Sequence, residues 1–114
     1  MAFVLKQSDT YRWPVSFETP SDGGRHEKQT FDGEFKRLSQ SRIREIGQLI
    51  ESSEITDAAI ATEVLVGWSG INDDSGQEVP FSQGALEQLL EVPMLAASVI
   101  TAYFASLNGA KRKN

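Results

Sequence analysis

Cysteine is absent from the 114-residue chain, and histidine occurs once, as His26. The first absence excludes a disulfide framework and thiolate chemistry, and the two together exclude a zinc site of the usual Cys and His composition. Positive charge is scarce. Eleven Lys and Arg against 16 Asp and Glu give a formal net charge of −5, which argues against general nucleic-acid binding, where clustered cations neutralise phosphates. Long hydrophobic runs are missing as well. The start, Met1-Ala2-Phe3-Val4-Leu5-Lys6, is too short for a secretory hydrophobic region. The longest uncharged stretch, Val92 to Ala110, contains Pro93, Asn108 and Gly109, and its apolar core falls short of the roughly 20 residues that cross a bilayer. A cytoplasmic protein with no membrane partner, no nucleic-acid partner and no cofactor is expected.

What is present suits a globule. Apolar residues make up 39% of the chain, and a chain of this length is expected to form one domain, residues 1–114, that buries about two thirds of its unfolded surface. Residues 1–38 read as strands. Tyr11, Trp13, Val15 and Phe17 alternate with Arg12, Pro14, Ser16 and Glu18, the period of two that marks a half-buried strand. Pro14 has no N–H for a ladder and points to an edge strand or a bulge. Asp22-Gly23-Gly24 supplies the positive-φ residues of a tight turn. A second strand then carries Phe31, Gly33 and Phe35 on one face, from about Arg25 to Arg37.

Residues 39–110 read as mainly helical, with a basic tail at 111–114. Ser39 or Ser41 can cap a helix bearing Ile43, Ile46, Leu49 and Ile50. Thr56 can cap the next, with Ile55 and Ile60 placed as a hydrophobic staple. Ile60, Val64 and Trp68 then recur at a spacing of four, which extends that helix to Trp68. Ser82 can cap a helix with Leu86, Leu89 and Leu90. Pro93 suits the start of a last helix, which Asn108-Gly109 can close. The expected fold is α+β: an N-terminal antiparallel β-hairpin or small sheet packed on a C-terminal bundle of about four helices, with a short hairpin-like arm.

The stretch from Val64 to Ser82 holds the candidate chemistry. A calcium loop with Gly76 at its sixth place would put Ile71 first and Ser82 last, and neither the isoleucine nor the missing bidentate glutamate can be reconciled with ligation. Gly67-Trp68-Ser69-Gly70 approaches a nucleophile elbow, but the final glycine comes one place early and a helix, not a strand, is expected before it. Adjacent Asp73 and Asp74 in a glycine-containing turn are expected to be solvated. No catalytic and no metal-binding residue is assigned, and the chain is not expected to be an enzyme. Trp68 and Phe81 are instead expected to be scaffold anchors that clamp the arm to the body.

The order of these pieces resembles the tail assembly chaperones of long-tailed bacteriophages. The resemblance rests on Val64-Leu65-Val66-Gly67-Trp68, Gly70-Ile71, the acidic turn, Val79-Pro80-Phe81-Ser82 and the helix with Leu86, Leu89 and Leu90. It extends to Ala102-Tyr103-Phe104 and the basic end Lys111-Arg112-Lys113. In the N-terminal half it rests on Trp13-Pro14-Val15, Asp22-Gly23-Gly24, Lys28-Gln29-Thr30-Phe31 and Phe35-Lys36-Arg37-Leu38. It implies a non-enzymatic role: binding and solubilising the tape measure protein during virion morphogenesis, in the host bacterial cytoplasm, with absence from the mature virion. It also implies a longer product, made by ribosomal frameshifting, that recruits tail tube subunits; Arg112-Lys113-Asn114 can be encoded over a slippery A-AAA-AAC site. The alternative from another class is a structural head–tail joining or minor tail protein retained in the virion.

The last helix is the expected binding surface. Leu95, Val99, Ile100, Tyr103, Phe104 and Leu107 cover one half of it. Met94, Ala97, Ser98, Thr101, Ala102 and Ala105 form the other half, small and uncharged where an exposed helix normally carries charge. These six are the partner-binding candidates, for a helical client or for a homo-oligomer.

Overall fold

The computed structural model describes residues 2–108; the basic tail and Gly109 lie outside them. The fold is α+β, a three-stranded antiparallel sheet packed against four helices. In chain order the elements are β1 (Thr10–Ser21), β2 (Arg25–Lys36), α1 (Gln40–Glu51), α2 (Asp57–Val64), β3 (Leu65–Ser69), α3 (Gln83–Leu90) and α4 (Leu95–Asn108).

The hairpin of β1 and β2 follows the alternation in the sequence. Tyr11 pairs with Phe35, Trp13 with Gly33 and Val15 with Phe31, so cross-strand partners share the face turned to the helices. Gly23 and Gly24 adopt φ of 82° and 75° at the tip, a region that costs an L side chain steric strain. Strand order β1-β2-β3 leaves β1 at an edge, where the missing N–H of Pro14 is tolerated. Gly33 lies between Trp13 and Trp68 in the ladder. A Cβ there would come within 3.1 Å of Leu65 and 3.2 Å of Phe35 and Val15, so the glycine makes room for its neighbours' side chains.

The helix expected to reach Trp68 stops at Val64. Leu65 turns extended, at φ −95° and ψ 108°, and the chain continues as β3. Asp32 pairs with Ser69, Gly33 with Trp68 and Glu34 with Gly67, but Phe35 pairs with Leu65. Val66 is therefore the extra residue of a β-bulge. Without it Leu65 and Trp68, three apart, would point to opposite faces of the strand; with it both face the core. Trp68 also falls four residues after Val64 and eight after Ile60, a helical spacing, which is why the sequence reads as helix through Trp68.

The helix starts follow the sequence. Ser39 rather than Ser41 caps α1, accepting from Arg42 N at 3.1 Å; Thr56 accepts from Ala59 N at 3.1 Å and Ser82 from Ala85 N at 3.0 Å. Each satisfies one backbone donor that the first turn leaves open. The last helix starts later than Pro93. Tight turns link Val92 N to Leu89 O and Leu95 N to Val92 O, and Met94 sits at φ 68° with its carbonyl accepting from Ser98 N.

The core joins the sheet's inner face to α2, α3 and α4. Val15, Phe31 and Phe35 meet Ala61, Val64, Leu65, Trp68, Leu86, Leu95, Val99, Ala102 and Tyr103. Each large apolar side chain buried this way stabilises the fold by about 1.5–3 kcal/mol. Tyr103 is the hinge pin of the assembly. Its ring lies 5.3 Å from Phe35 and 6.5 Å from Tyr11. Its hydroxyl donates to Lys36 O at 2.9 Å and accepts from Leu38 N at 3.3 Å, closing the exit of β2 over α4. Helix α1 is held to α2 by Arg42, whose guanidinium donates to both oxygens of Glu63 at 2.8 and 2.7 Å. Of its expected apolar face, Ile46 is buried, Ile43 and Leu49 are partly buried, and Ile50 is exposed.

Candidate interaction surface on the arm and the last helix

The arm between β3 and α3 is built from its own backbone. Gly70, at φ 90°, turns the chain out of the sheet. Asn72 and Glu78 form an isolated bridge, Val79 N donates to Ile71 O at 2.7 Å, and Asp73 N donates to Gln77 O at 2.8 Å. Asp73 organises the tip: its Oδ1 accepts from Ser75 N, Ser75 Oγ and Gln77 N at 2.9, 2.8 and 3.0 Å. These donors, the Gln77 amide first, hold its carboxyl below the usual aspartate range. Its charge is thus spent on closing a turn. Among the described residues no group of three or more His, Cys, Asp or Glu is placed to hold a metal ion.

The two expected anchors meet at the base of the arm. Trp68 is buried, and its ring stands edge-on to Phe81 at 4.9 Å and to Phe31 at 6.5 Å. The indole Nε1 donates to Val79 O at 2.8 Å, so one side chain fixes both ends of the arm's return. Beside it, Trp68, Ile71, Val79, Ala85 and Leu89 line a shallow cleft of about 260 Å³.

Ser69 does not sit after a helix, as expected, but at the end of a strand. Even so, the strand runs into the arm rather than into a helix, so no elbow forms. Ser69 Oγ accepts from Arg12 at 3.3 Å. His26 pairs with Pro20 near the hairpin tip, six positions along β2 from Asp32, the partner of Ser69. That separation is about 20 Å at strand rise, too far for a nucleophile–base pair.

On α4 the structure corrects the expected division of faces. Ala102 belongs to the core cluster, 9% exposed, and is not part of an open surface. The core-facing line is Leu95, Val99, Ala102 and Tyr103. At 100° per residue its opposite is centred on Ala97 and Phe104, flanked by Ile100 and Thr101. Thr101 is exposed and Ala97, Ile100, Phe104 and Ala105 are partly buried; Ile100 and Phe104 were expected inside. Ser98 lies closer to the core side, and its hydroxyl donates to Met94 O at 3.1 Å. Met94 and Leu107, at the two ends, are 75% and 40% exposed. Helix α4 packs against both α2 and β1, and the side that carries Ala102 is the one turned into the core cluster. Tyr103 covers the flank toward β1.

The resulting outward flank carries no charge over its described length. No single described helix is long and apolar enough to cross a membrane. No electrostatic term opposes an apolar partner on this flank, and none orients it; packing would set the geometry.

A family model described as YdaY prophage protein matches residues 28–108, from within β2 to the end of α4. No curated protein and no solved structure matches the chain.

Proposed function

The chain belongs to the YdaY prophage protein family, and from that premise we propose that it is a non-enzymatic tail assembly chaperone. In this reading it binds the tape measure protein in the host cytoplasm, keeps it in solution while the tail is built, and is absent from the finished particle. A longer frameshifted product would carry the same fold and recruit tail tube subunits.

The observation that supports the role is the uncharged outward flank of α4. Ile100, Phe104, Met94 and Leu107 offer apolar contact, while Ala97, Thr101 and Ala105 allow a helix to come close. An apolar helical segment of the client would cover this flank and be kept from other copies of itself. The net charge of −5 would keep the complex in solution.

The test is co-expression with the tape measure protein, whose gene is expected just downstream. The native chain should raise the soluble fraction of the client. Thr101→Glu and Ala97→Glu should abolish that effect while leaving the isolated chain folded, because each would desolvate a charge at the interface. A client equally soluble with and without the chain, or recovery of the chain in purified particles by mass spectrometry, would reject the chaperone role.

A further inference from the structure

Strand β2 is twelve residues long, but β3 accompanies only Asp32–Phe35. Gly70 then carries the chain away beside Phe31. From Arg25 to Phe31, the side of β2 turned from β1 has no strand next to it among the described residues. A cleft of about 190 Å³ adjoins this stretch, lined by Phe17, Gln29, Phe31, Ile71 and Leu89. A strand edge of this kind presents N–H and C=O groups ready for another chain, here above an apolar floor.

The chain carries a matching segment. Phe3, Val4 and Leu5 are 77%, 65% and 86% exposed, the one run of consecutive exposed large apolar residues among those described. The lining of the cleft carries no charged side chain, which suits the uncharged run Phe3-Val4-Leu5 that precedes Lys6. The segment of the same copy is badly placed to fill the cleft. Thr10 pairs with Lys36, six positions from Thr30, about 20 Å along the strand. Leu5 is five residues from Thr10 and reaches about 17 Å when fully stretched. The arm would also have to cross the width of the sheet, and it is curled by Gln7 Nε2 donating to Val4 O at 2.6 Å.

We propose that residues 2–6 of one copy add as a strand to the open edge of β2 in a second copy. The exchange is reciprocal and makes a two-fold dimer. Alternate side chains of the arm, Phe3 and Leu5, enter the cleft, while backbone hydrogen bonds run to Gln29–Phe31.

The test uses the full-length chain alone, with no client, so its outcome is independent of the chaperone role. Sedimentation equilibrium should show a concentration-dependent dimer. Replacing the exposed arm residues together (Phe3→Ser, Val4→Ser, Leu5→Ser) should raise the dissociation constant at least about tenfold with no change in thermal unfolding of the monomer. The chain has no cysteine, so placement can be checked by cross-linking. Copies with Val4→Cys mixed with copies with Gln29→Cys should form a disulfide-linked heterodimer on oxidation. A monomer at all concentrations, or a dimer insensitive to the arm substitutions, overturns the proposal. So does a double Val4→Cys, Gln29→Cys chain that closes its disulfide within one copy.

Discussion

Trp68→Ala tests the arm and the core at once. The side chain is 7% exposed, and a tryptophan of this kind removes about 150–250 Å² from water. At about 25 cal/mol per Å² that is worth about 4–6 kcal/mol, an upper bound set by the extended-chain reference. The indole N–H adds its bond to Val79 O at 2.8 Å, a net contribution of about 1 kcal/mol. Truncation lets part of the site collapse, so the expected loss is about 3–5 kcal/mol. A domain of this size has about 5–15 kcal/mol in total. Urea unfolding followed by far-UV circular dichroism measures the change as a lower midpoint at unchanged slope. Trp68→Phe separates the parts: it keeps an aromatic ring against Phe81 and leaves the Val79 carbonyl without its donor, and should cost about 1–2 kcal/mol. Hydrogen exchange of the Val79 amide, which bonds to Ile71 O, should quicken in both variants, more in the alanine. A loss below about 1.5 kcal/mol for Trp68→Ala, with the arm amides still protected, would refute the anchoring of the arm by this residue.

Three further outcomes follow from the same structure. Tyr103→Phe removes the hydroxyl that serves Lys36 O and Leu38 N and should cost about 1–3 kcal/mol; burial raises the Tyr103 pKa, so the wild type holds the associated stability below the ordinary tyrosine pKa of about 10 and loses it as pH rises through the raised folded value, a component the variant lacks in alkaline unfolding curves. Glu63→Gln acts at the other end of the scale: hydrogen bonds from Arg42 lower the Glu63 pKa, so the native contribution is present above the ordinary glutamate pKa of about 4.3 and disappears as pH falls through the lowered value, and the stabilities of variant and wild type should converge in acid. Asp73→Asn with Asp74→Asn should leave the melting temperature nearly unchanged, since an asparagine oxygen can still accept at the turn; calcium-dependent melting that vanishes in this double variant would show that the turn holds an ion.

The α4 surface was only half legible in the sequence. That the helix lacks charge from Val92 onward is plain, and so is its distinction from an ordinary solvent-facing helix. Which side looks outward is not, because the face of a helix is marked by where its charges lie, and here there are none. Ala102 and Phe104 show the consequence: the smaller residue is in the core and the larger is on the flank, the reverse of a size-based assignment. The cleft beside β2 was not legible at all, since its walls come from β1, β2, the arm and α3 together.

Local sequence determined the elements whose signals are local. Period-two alternation with a strict register fixed the inner face of the hairpin, because a slip of one residue would turn Val15, Phe31 and Phe35 to water. Asp22-Gly23-Gly24 set its tip, and Ser39, Thr56 and Ser82 set three helix starts, because each supplies within three residues what the backbone there requires. Tertiary structure decided the rest. Leu65–Ser69 becomes a strand because Asp32–Phe35 offers an open ladder beside it, and the Val66 bulge lets Leu65 and Trp68 both reach the core at a spacing that otherwise mimics a helix. The rotation of α4 was decided likewise, by its packing against α2 and β1. These are contacts between segments far apart in sequence, and their energies enter only when the chain has already brought them together.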